Sequence, residues 1–278
     1  MNGFLWGAFA VNLAVAAGAA LAVMLVTFAA ARSRGVHRIV DVAWGIGFCV
    51  VASVSYGLSG AADGPDAGRR ALVVVLTLLW GLRLAGHIAR RGRGHGEDPR
   101  YARMLARAPG NPAWYALRKI YLLQGALVWL VSLPVQAACY VTGEPGPLTL
   151  AGVALWLLGF GCEAVGDHQL ARFKADPANK GRIMDRGLWA WTRHPNYFGD
   201  FCVWWGLYLL ACEQWQAAAV AAVAPLVMTA LLTVGSGKRL LEAHMADRPG
   251  FAAYRARTSG FFPLPPRKGG GGGLRRLP

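Results

Sequence analysis

Charged side chains are scarce in this sequence. Asp, Glu, Lys and Arg make up 15% of its 278 residues, against roughly 25% in ordinary soluble domains. Acidic residues are the scarcest, with 14 Asp and Glu against 29 Lys and Arg and a net charge of +15. Hydrophobic residues, by contrast, make up 55% of the chain. This balance excludes an ordinary soluble domain and indicates an integral membrane protein.

Cysteine pairs, a signal peptide and repeats are also missing. The five cysteines form no C-x-x-C pair and mostly lie within apolar segments, so we expect neither a disulfide framework nor a metal site. No basic residue precedes the first apolar run, which continues to about Ala31 and is too long for a signal peptide. We therefore expect a retained span. Because no repeat or helix broken at mid-membrane is visible, a transporter is disfavoured.

Seven segments are long and apolar enough to cross a bilayer. A span needs about 20 mostly apolar residues to cross roughly 30 Å of hydrocarbon. The segments run approximately over Phe4–Ala31, Ile39–Leu58, Ala71–Ala89, Tyr115–Val141, Leu148–Leu170, Tyr197–Ala211 and Trp215–Val234. The sixth is short, as in a tilted or partly interfacial helix. The sequence therefore predicts an all-α integral membrane protein built as a seven-transmembrane helix bundle.

Basic residues concentrate in alternate loops. They follow the first, third and fifth spans and recur in the C-terminal tail, whereas the loops SGAADGPDAG and TGEPGP carry acids or little charge. The positive-inside rule then predicts an N-terminus outside and a C-terminus in the cytoplasm. A nucleic-acid-binding face would gather its basic residues on one surface instead, so we expect no nucleic-acid partner.

The C-terminal residues differ in composition from the rest of the chain. Residues 264–278 contain five consecutive glycines and no apolar period, which predicts a disordered basic tail. Its cations are suited to contact anionic lipid; they are Arg267, Lys268, Arg275 and Arg276. Residues 1–263 would form a single membrane domain.

The most polar stretch lies between two apolar runs, at Lys180–Trp205 (KGRIMDRGLWAWTRHPNYFGDFCVWW). Pro195 predicts the start of a helix, because proline suits the first helical position. Basic residues surround this start, namely Lys180, Arg182, Arg186 and Arg193. Hydrogen-bonding side chains follow in ordered spacing, namely His194, Asn196, Tyr197 and Asp200. A helix start ringed by arginines suits an anion. The alternative is a basic loop facing acidic lipid headgroups, which does not require the ordered polar residues.

Ionisable residues inside the predicted spans are candidate functional positions, since charge at membrane depth is costly. Asp41 lies near the start of the second span, where an interfacial acid at a helix start is the alternative. Arg83 and His87 are four residues apart on the third span and share a helix face. Arg83 snorkelling towards the surface and His87 as a satisfied interior residue are the alternatives there.

Further polar residues lie on the fifth span and near the C-terminus. Glu163, Asp167 and Lys174 line one face of the predicted fifth helix, where they are suited either to a cofactor or to pairing with the loop arginines. Glu242 and Tyr254 belong to a mixed polar segment that is suited to close over whatever the Lys180–Trp205 stretch binds.

The loop between the third and fourth spans reads GHGEDPRY over residues 94–101. It places Glu97 and Asp98 among six arginines, which is typical of a structural ion-pair network. Gln124 lies within the predicted fourth span, where hydrogen bonding between helices is the expected role.

Three motifs resemble a known family: GLWAWTRHPNYFGDF, SG-x-x-LLE ahead of PGF-x-x-Y, and GEDPRY ahead of a helix with LLQ. Together they resemble the bacterial branch of the steroid 5-alpha-reductase family, membrane reductases of the DUF1295 type, from VDVAWGIGF to FFPLPPR. The resemblance implies an NADPH-dependent oxidoreductase acting on CH–CH groups. Such an enzyme saturates a carbon–carbon double bond conjugated to a carbonyl, as 3-oxo-5-alpha-steroid 4-dehydrogenases do. The substrate would be a steroid-like or other apolar lipid.

The resemblance, together with the polar residues described above, also implies a division of labour and a set of cofactor-binding residues. The arginines of that set are expected phosphate partners because of their charge and not because of a family match. Residues 4–141 would form the substrate side and residues 148–263 the cofactor side. The expected NADPH-binding residues are Glu163, Asp167, Lys174, Arg182, Arg193, His194, Asn196, Tyr197, Asp200, Glu242 and Tyr254. Asn196 and Asp200 would contact the nicotinamide–ribose part of the cofactor. We expect a monomer in contact with membrane lipids, in the bacterial inner (plasma) membrane.

One departure from the family concerns the catalytic residues. Steroid reductases pair a glutamate in the second span with a tyrosine in the third to activate the substrate carbonyl. Here Gly86 stands at the tyrosine position, and Asp41 replaces the glutamate. We therefore take Asp41 and His87 as a catalytic pair that polarises the carbonyl oxygen and stabilises the developing enolate.

Two other functions stay open. Isoprenylcysteine carboxyl methyltransferases carry a similar RHP-x-Y turn with a later glutamate and tyrosine, and bind S-adenosylmethionine. They usually have paired glutamates where this chain reads KRLLE, ending at Glu242. The aspartate of HPNYFGD and the loop arginines favour a phosphorylated cofactor instead. A non-enzymatic lipid-binding protein is the third interpretation, in which the polar stripes pair only with each other.

Overall fold

A computed structural model describes residues 4–235 and 237–267. Within these residues the protein is helical, with two isolated β-bridges and no strand, which confirms the predicted all-α class. The helices are α1 (Trp6–Arg34), α2 (Ile39–Ser59), α3 (Ala67–Gly92), α4 (Pro99–Ala106), α5 (Pro112–Ala116), a π-helix (Leu117–Leu122), α6 (Leu123–Val131), α7 (Leu133–Ala138), α8 (Pro147–Ala175), a 3-10 helix (Pro177–Asn179), α9 (Leu188–Trp191), α10 (Pro195–Ala211), α11 (Trp215–Ala221), α12 (Val223–Thr233), α13 (Lys238–Met245) and α14 (Phe251–Arg257).

Six helical segments of the described chain are long and apolar enough to cross a membrane, which indicates a multi-pass membrane protein. They are Trp6–Arg34, Ile39–Ser59, Ala67–Gly92, Pro112–Ala138, Pro147–Ala175 and Trp215–Met245. The predicted sixth span corresponds to α10, whose 17 residues reach about 26 Å at 1.5 Å per residue. That length falls short of a roughly 30 Å hydrocarbon core. Seven spans and the outside N-terminus therefore stay predictions.

Several helices begin with the same local device, a polar cap followed by proline. Asp98 accepts a hydrogen bond from the backbone N–H of Arg100 at 2.8 Å and precedes Pro99, the first residue of α4. Asn111 caps α5 in the same way ahead of Pro112. The cap satisfies an amide that has no partner inside the helix, and proline there has no amide to satisfy.

The chain divides into two compact units. Unit 1 comprises the described residues up to Ala154 together with Trp204–Leu226. In unit 1, α2 and α3 approach closely, since a Cβ built on Gly45 would lie 2.5 Å from the carbonyl oxygen of Gly81. An aromatic group of Phe48, Trp80 and Trp204, with ring centroids 4.6 to 5.5 Å apart, fills its core.

A buried arginine also stabilises unit 1. Arg69, on the first turn of α3, has no exposed surface. Its guanidinium donates to the backbone carbonyls of Gly143 at 2.9 Å and Glu144 at 2.8 Å. These bonds hold the loop before α8 and satisfy a charge that burial would otherwise make costly.

Unit 2 comprises Leu155–Val203 and the described residues from Val227 onward. The segment after α14 packs against the start of α10 through a group of four phenylalanines, Phe198, Phe201, Phe261 and Phe262. A parallel β-bridge between Thr192 and Ser259 joins the same two segments. The residues before α10 and the C-terminal segment therefore form one folded element.

The predicted disordered tail begins within this element. The backbone N–H of Leu264 donates to Trp191 at 3.0 Å, and that of Arg267 donates to Arg257 at 2.9 Å. Residues 264–267 are thus held by backbone hydrogen bonds. Residues 268–278 of the predicted tail, and Ser236 of the SG-x-x-LLE motif, lie outside the described residues.

Candidate functional site

Two glycines set the geometry of the first polar group in unit 2. A Cβ built on Gly199 would lie 2.5 Å from the carbonyl oxygen of Gly159 and 2.6 Å from the amide nitrogen of Glu163, so α8 and α10 touch through their backbones. This contact places the buried carboxyl groups of Glu163 and Asp167 beside the first turn of α10. There Asn196 Nδ2 donates a long hydrogen bond, 3.4 Å, to Asp167 Oδ1.

A single carboxylate gathers the residues just before α10. Glu242 Oε1 accepts hydrogen bonds from Arg193 Nε at 2.9 Å and His194 Nε2 at 3.0 Å. The Arg193 side chain is only 10% exposed, and its Nη1 donates to the carbonyl of Thr258 at 2.6 Å. We call Arg193, His194 and Glu242 the Arg193 cluster. Three of the predicted cofactor-binding residues therefore meet in one hydrogen-bonded group.

His194 is held as a neutral ring. Burial lowers the pKa of His194; the Glu242 carboxylate raises it, while the positive charges of Arg193 and Lys238 lower it further. A neutral ring that donates from Nε2 to Glu242 keeps Nδ1 as an acceptor, and this buried atom has no partner among the described residues. The ring stacks on Tyr197, with centroids 5.3 Å apart and planes 4° from parallel.

The C-terminal segment closes the other side of this cluster. The hydroxyl of Tyr254 donates to the carbonyl of Trp189 at 2.6 Å, and burial raises the pKa of Tyr254, so the phenol stays protonated. The backbone N–H of Arg193 donates to Ser259 at 2.9 Å, and Thr192 Oγ1 donates to Phe261 at 2.8 Å. Tyr254 thus acts on this site by fixing the backbone beside it.

Cavities open among the described residues of unit 2. The first has a volume of about 240 Å³, and we call it the arginine cavity because its lining includes Arg193, Arg255, Arg257 and Arg267. The second, of about 350 Å³, is lined by the polar and apolar groups of Gln169, Arg172, Phe173, Asn179, Met184 and Arg186, among others. Both are built largely by residues from loops and helix ends.

Three further predicted cofactor-binding residues belong to the same unit. Asp200 is half-buried one turn after Asn196, and Lys174 is exposed near the end of α8. Arg182 is exposed, and its backbone N–H donates to Asn179 at 3.0 Å. Their roles towards a cofactor stay predictions. No group of three metal-ligating side chains occurs in the part of the chain that the structure describes.

Unit 1 contains a second polar group, around Asp41. The hydroxyl of Tyr101 donates to Asp41 Oδ1 at 2.6 Å, and Arg100 Nη2 donates to Oδ2 at 2.9 Å. Gln124 Nε2 lies 3.5 Å from the Tyr101 oxygen. Burial, followed by the Asp41 carboxylate, raises the pKa of Tyr101, so its hydroxyl stays a hydrogen-bond donor. We call Asp41, Arg100, Tyr101 and Gln124 the Asp41 cluster.

A second carboxylate supports the Asp41 cluster. Glu97 accepts from the backbone N–H groups of His37 at 2.5 Å and Arg38 at 2.9 Å, at the start of α2. His37 Nδ1 lies 2.9 Å from the hydroxyl of Tyr121, which belongs to the π-helix. Single π-helical turns are rare and frequently occur at functional sites.

The sequence did not single out Tyr101 or Arg100 as site residues. The GEDPRY motif is a signal for them, but its acids among arginines indicate an ion-pair network, and Asp98 and Arg100 do form such a pair at 3.0 Å. His87 lies half-buried on α3. The catalytic pairing of Asp41 with His87 stays a prediction, whereas the contacts of Asp41 with Tyr101 and Arg100 are direct.

A family model, "Protein of unknown function (DUF1295)", matches residues 27–258. The chain belongs to the DUF1295 family. Both polar clusters lie within the matched residues. An uncharacterized protein of Schizosaccharomyces pombe is 26% identical over 230 residues, which make up 71% of this chain and 64% of that relative. The chain therefore spans less than two thirds of that relative's length. No solved structure matches this DUF1295 protein.

Proposed function

We propose that this protein is an NADPH-dependent membrane reductase that saturates a carbon–carbon double bond conjugated to a carbonyl in an apolar, steroid-like or related lipid. The observation that carries this proposal is the meeting of polar residues from α8, α10, α13 and α14 in unit 2. Asp167 with Asn196, and Arg193 with His194 and Glu242, lie in hydrogen-bonded groups. An arginine-lined cavity accompanies them.

These residues fit a phosphorylated dinucleotide. The Asn196 amide and the Asp167 carboxylate suit the hydroxyl and amide groups of a nicotinamide riboside, and arginines suit phosphate because the guanidinium donates in a planar fork. When bound, the reduced nicotinamide supplies a hydride. The residues of unit 2 would bind and orient the cofactor, and Tyr254 would keep the backbone at Trp189 in place.

The Asp41 cluster suits the carbonyl end of the substrate. Hydride addition to the far carbon of an enone places negative charge on the carbonyl oxygen, and a proton then completes the saturated product. The Tyr101 hydroxyl stays protonated and donates its one proton to Asp41. Turned from Asp41 to the substrate, it would stabilise that charge as an oxyanion donor does. Tyr101 would thus supply the tyrosine that is missing at Gly86, and His87 remains a second candidate donor.

A groove in unit 1 suits the apolar body of the substrate. It has a volume of about 780 Å³ and runs between α1 and α2, where Ala19, Val23, Ile39, Val42 and Ile46 line it. This volume falls within the roughly 300–1,000 Å³ of small-molecule sites. Ile39 and Val42 flank Asp41 in the chain, so the groove and the Asp41 cluster share the first turn of α2.

The main alternative is S-adenosylmethionine-dependent methyl transfer, because the RHP-x-Y turn with a later glutamate and tyrosine is common to both classes. The Arg193–Glu242 pair would serve either cofactor. The surplus of arginines around the cavity favours NADPH, since S-adenosylmethionine carries no phosphate. A non-enzymatic lipid-binding protein would need neither the arginine cavity nor a protonated donor beside Asp41.

Thermal unfolding of the detergent-purified protein with NADPH, NADH and S-adenosylmethionine in turn tests this proposal. A ligand at about 100 times its dissociation constant adds roughly 2.7 kcal/mol to the folded state. We expect NADPH to raise the melting temperature, and Asn196→Ala and Asp200→Ala to abolish that rise. Asp247→Ala, an exposed aspartate of unit 2, is the matched control. A rise with S-adenosylmethionine alone would overturn the proposal in favour of methyl transfer.

A further inference from the structure

The lining of the arginine cavity carries more positive charge than its neighbours neutralise. Arg193 pairs with Glu242 at 2.9 Å, and Arg257 pairs with Asp185. No carboxylate lines the cavity, and none of the described carboxylates pairs with Arg255 or Arg267. Two of the four arginines are therefore balanced and two are not, so the cavity suits a ligand with about two negative charges.

Hydrogen-bond donors are also left over at this cavity. Arg193 uses Nε and Nη1 for Glu242 and for two backbone carbonyls, and its Nη2 lies 3.1 Å from the position of a Cβ built on Gly260. Lys238 Nζ lies 2.7 Å from that same position. A side chain at position 260 would crowd both cations, so Gly260 lets them lie close to the backbone there.

Thr258 supplies a second sign of a binding site. It lines the cavity and is only 4% exposed, and its Oγ1 is buried with no hydrogen-bond partner among the described residues. Buried hydroxyl groups in proteins almost always find a partner, because an unsatisfied one costs free energy. A rotation of the Thr258 side chain would let a ligand oxygen in the cavity accept its proton.

We propose that the arginine cavity binds a phosphate monoester, with Arg193, Arg255, Arg267 and Thr258 as its ligand-binding residues. A phosphate monoester carries about −1.5 to −2 charges at pH 7 and presents three acceptor oxygens, which match the two unbalanced arginines and the unused donors. The cavity volume of about 240 Å³ is below the roughly 300–1,000 Å³ that holds a whole small molecule, so it receives one group of a larger ligand.

The proposed function indicates which molecule carries this phosphate monoester. If the cofactor is NADPH, the monoester is its 2′-phosphate, and Arg255 and Arg267 determine the preference over NADH; this assignment rests on the proposed function. A lipid with a monoester headgroup, phosphatidic acid, offers the same chemistry. The phosphate site itself depends on the geometry of unit 2 alone.

Binding of two nucleotides that differ in one phosphate tests the inference. The full chain in detergent is titrated calorimetrically with adenosine 2′,5′-bisphosphate and with adenosine 5′-monophosphate. We expect the bisphosphate to bind at least about tenfold more tightly, an advantage of about 1.4 kcal/mol. The double variant Arg255→Gln, Arg267→Gln is expected to lose this ratio. Both side chains are exposed, so the variant is expected to fold. Arg248→Gln, an exposed arginine outside the cavity, is expected to retain the ratio.

Equal affinity for the two nucleotides, or a ratio that survives the double variant, would overturn the 2′-phosphate assignment. Nanodiscs with and without phosphatidic acid separate the two sources. Tighter binding of phosphatidic acid that the double variant loses, without binding of the bisphosphate, would assign the cavity to a lipid headgroup and overturn the cofactor assignment. A protein that shows the expected nucleotide ratio but reduces no enone would support the phosphate site and contradict the proposed reductase.

Discussion

Each unit of the molecule contains a polar group of the same kind, in which the side chains of two residues adjacent in the sequence donate hydrogen bonds to one carboxylate. In unit 1, Arg100 and Tyr101 bind Asp41. In unit 2, Arg193 and His194 bind Glu242.

The two groups differ in charge balance. Arg100 also pairs with Asp98, so one arginine in unit 1 serves two carboxylates. In unit 2 the arginines outnumber the carboxylates that pair with them, since Arg255 and Arg267 line the cavity beside the Arg193 cluster without a carboxylate partner among the described residues. A site short of cations with a protonated phenol suits a neutral carbonyl, whereas a surplus of cations suits a phosphorylated ligand. The comparison therefore predicts an uncharged ligand group at the Asp41 cluster and a negatively charged one beside the Arg193 cluster.

The largest expected effect is on catalysis, from Tyr101→Phe. Removing one donor to a developing oxyanion typically lowers kcat by about 100- to 1,000-fold. We expect that loss in NADPH oxidation with an enone that the wild type reduces, while the thermal shift with NADPH is unchanged, because Tyr101 belongs to unit 1. Tyr115→Phe, in α5, is the matched control. Full activity in the Tyr101 variant would remove the carbonyl-binding role from the Asp41 cluster.

Replacing Arg193 or Arg100 tests how the burial of the arginine in each cluster affects stability. Arg193→Gln leaves Glu242 with His194 alone in a group whose arginine is 10% exposed, and breaking a buried pair costs about 3 kcal/mol or more. Arg100 is 50% exposed, and exposed pairs contribute about 0.2–1 kcal/mol, so Arg100→Gln is expected to cost less than about 1 kcal/mol. Denaturant-induced unfolding of the two variants measures both. Equal losses of stability would contradict the comparison.

The smallest expected effect is a pH dependence from His194. Its pKa is lowered in the folded protein, so below the ordinary value of about 6.5 the unfolded chain binds more protons than the folded one. Stability is therefore complete above about pH 6.5 and falls as the pH is lowered, by at most about 1.4 kcal/mol per pH unit for one proton. Melting temperatures of wild type and His194→Gln between about pH 5 and 7.5 measure this dependence. The control is His95→Gln, which replaces an exposed histidine of unit 1 and is expected to melt as the wild type does at each pH. If the melting temperature of His194→Gln fell with pH as steeply as that of the wild type, the prediction would be wrong.

Much of the fold followed from local patterns. The apolar runs predicted α1, α2, α3 and α8 within a few residues of their observed bounds, and Pro195 begins α10 as expected. The prediction did not find that the fourth span divides into α5, the π-helix, α6 and α7, because a π-helical turn has no clear signature in hydropathy. The polar stretch before α10 and the SG-x-x-LLE motif predicted one site for Arg193, His194 and Glu242. Their side chains are in contact, and their role towards a cofactor stays a prediction.

The sequence by itself determined the apolar helices, their caps and the polar stretch before α10, because hydropathy, capping and proline geometry depend on residues close together in the chain. Only the tertiary structure decided which carboxylate each arginine meets. Asp41 and Arg100 are 59 residues apart, and Arg193 and Glu242 are 49 apart. No local period encodes such contacts; they depend on how closely helices pack, as at Gly159 and Gly199. Helix packing also decided which arginines pair with a carboxylate. The remaining charge determines which ligand each polar group suits.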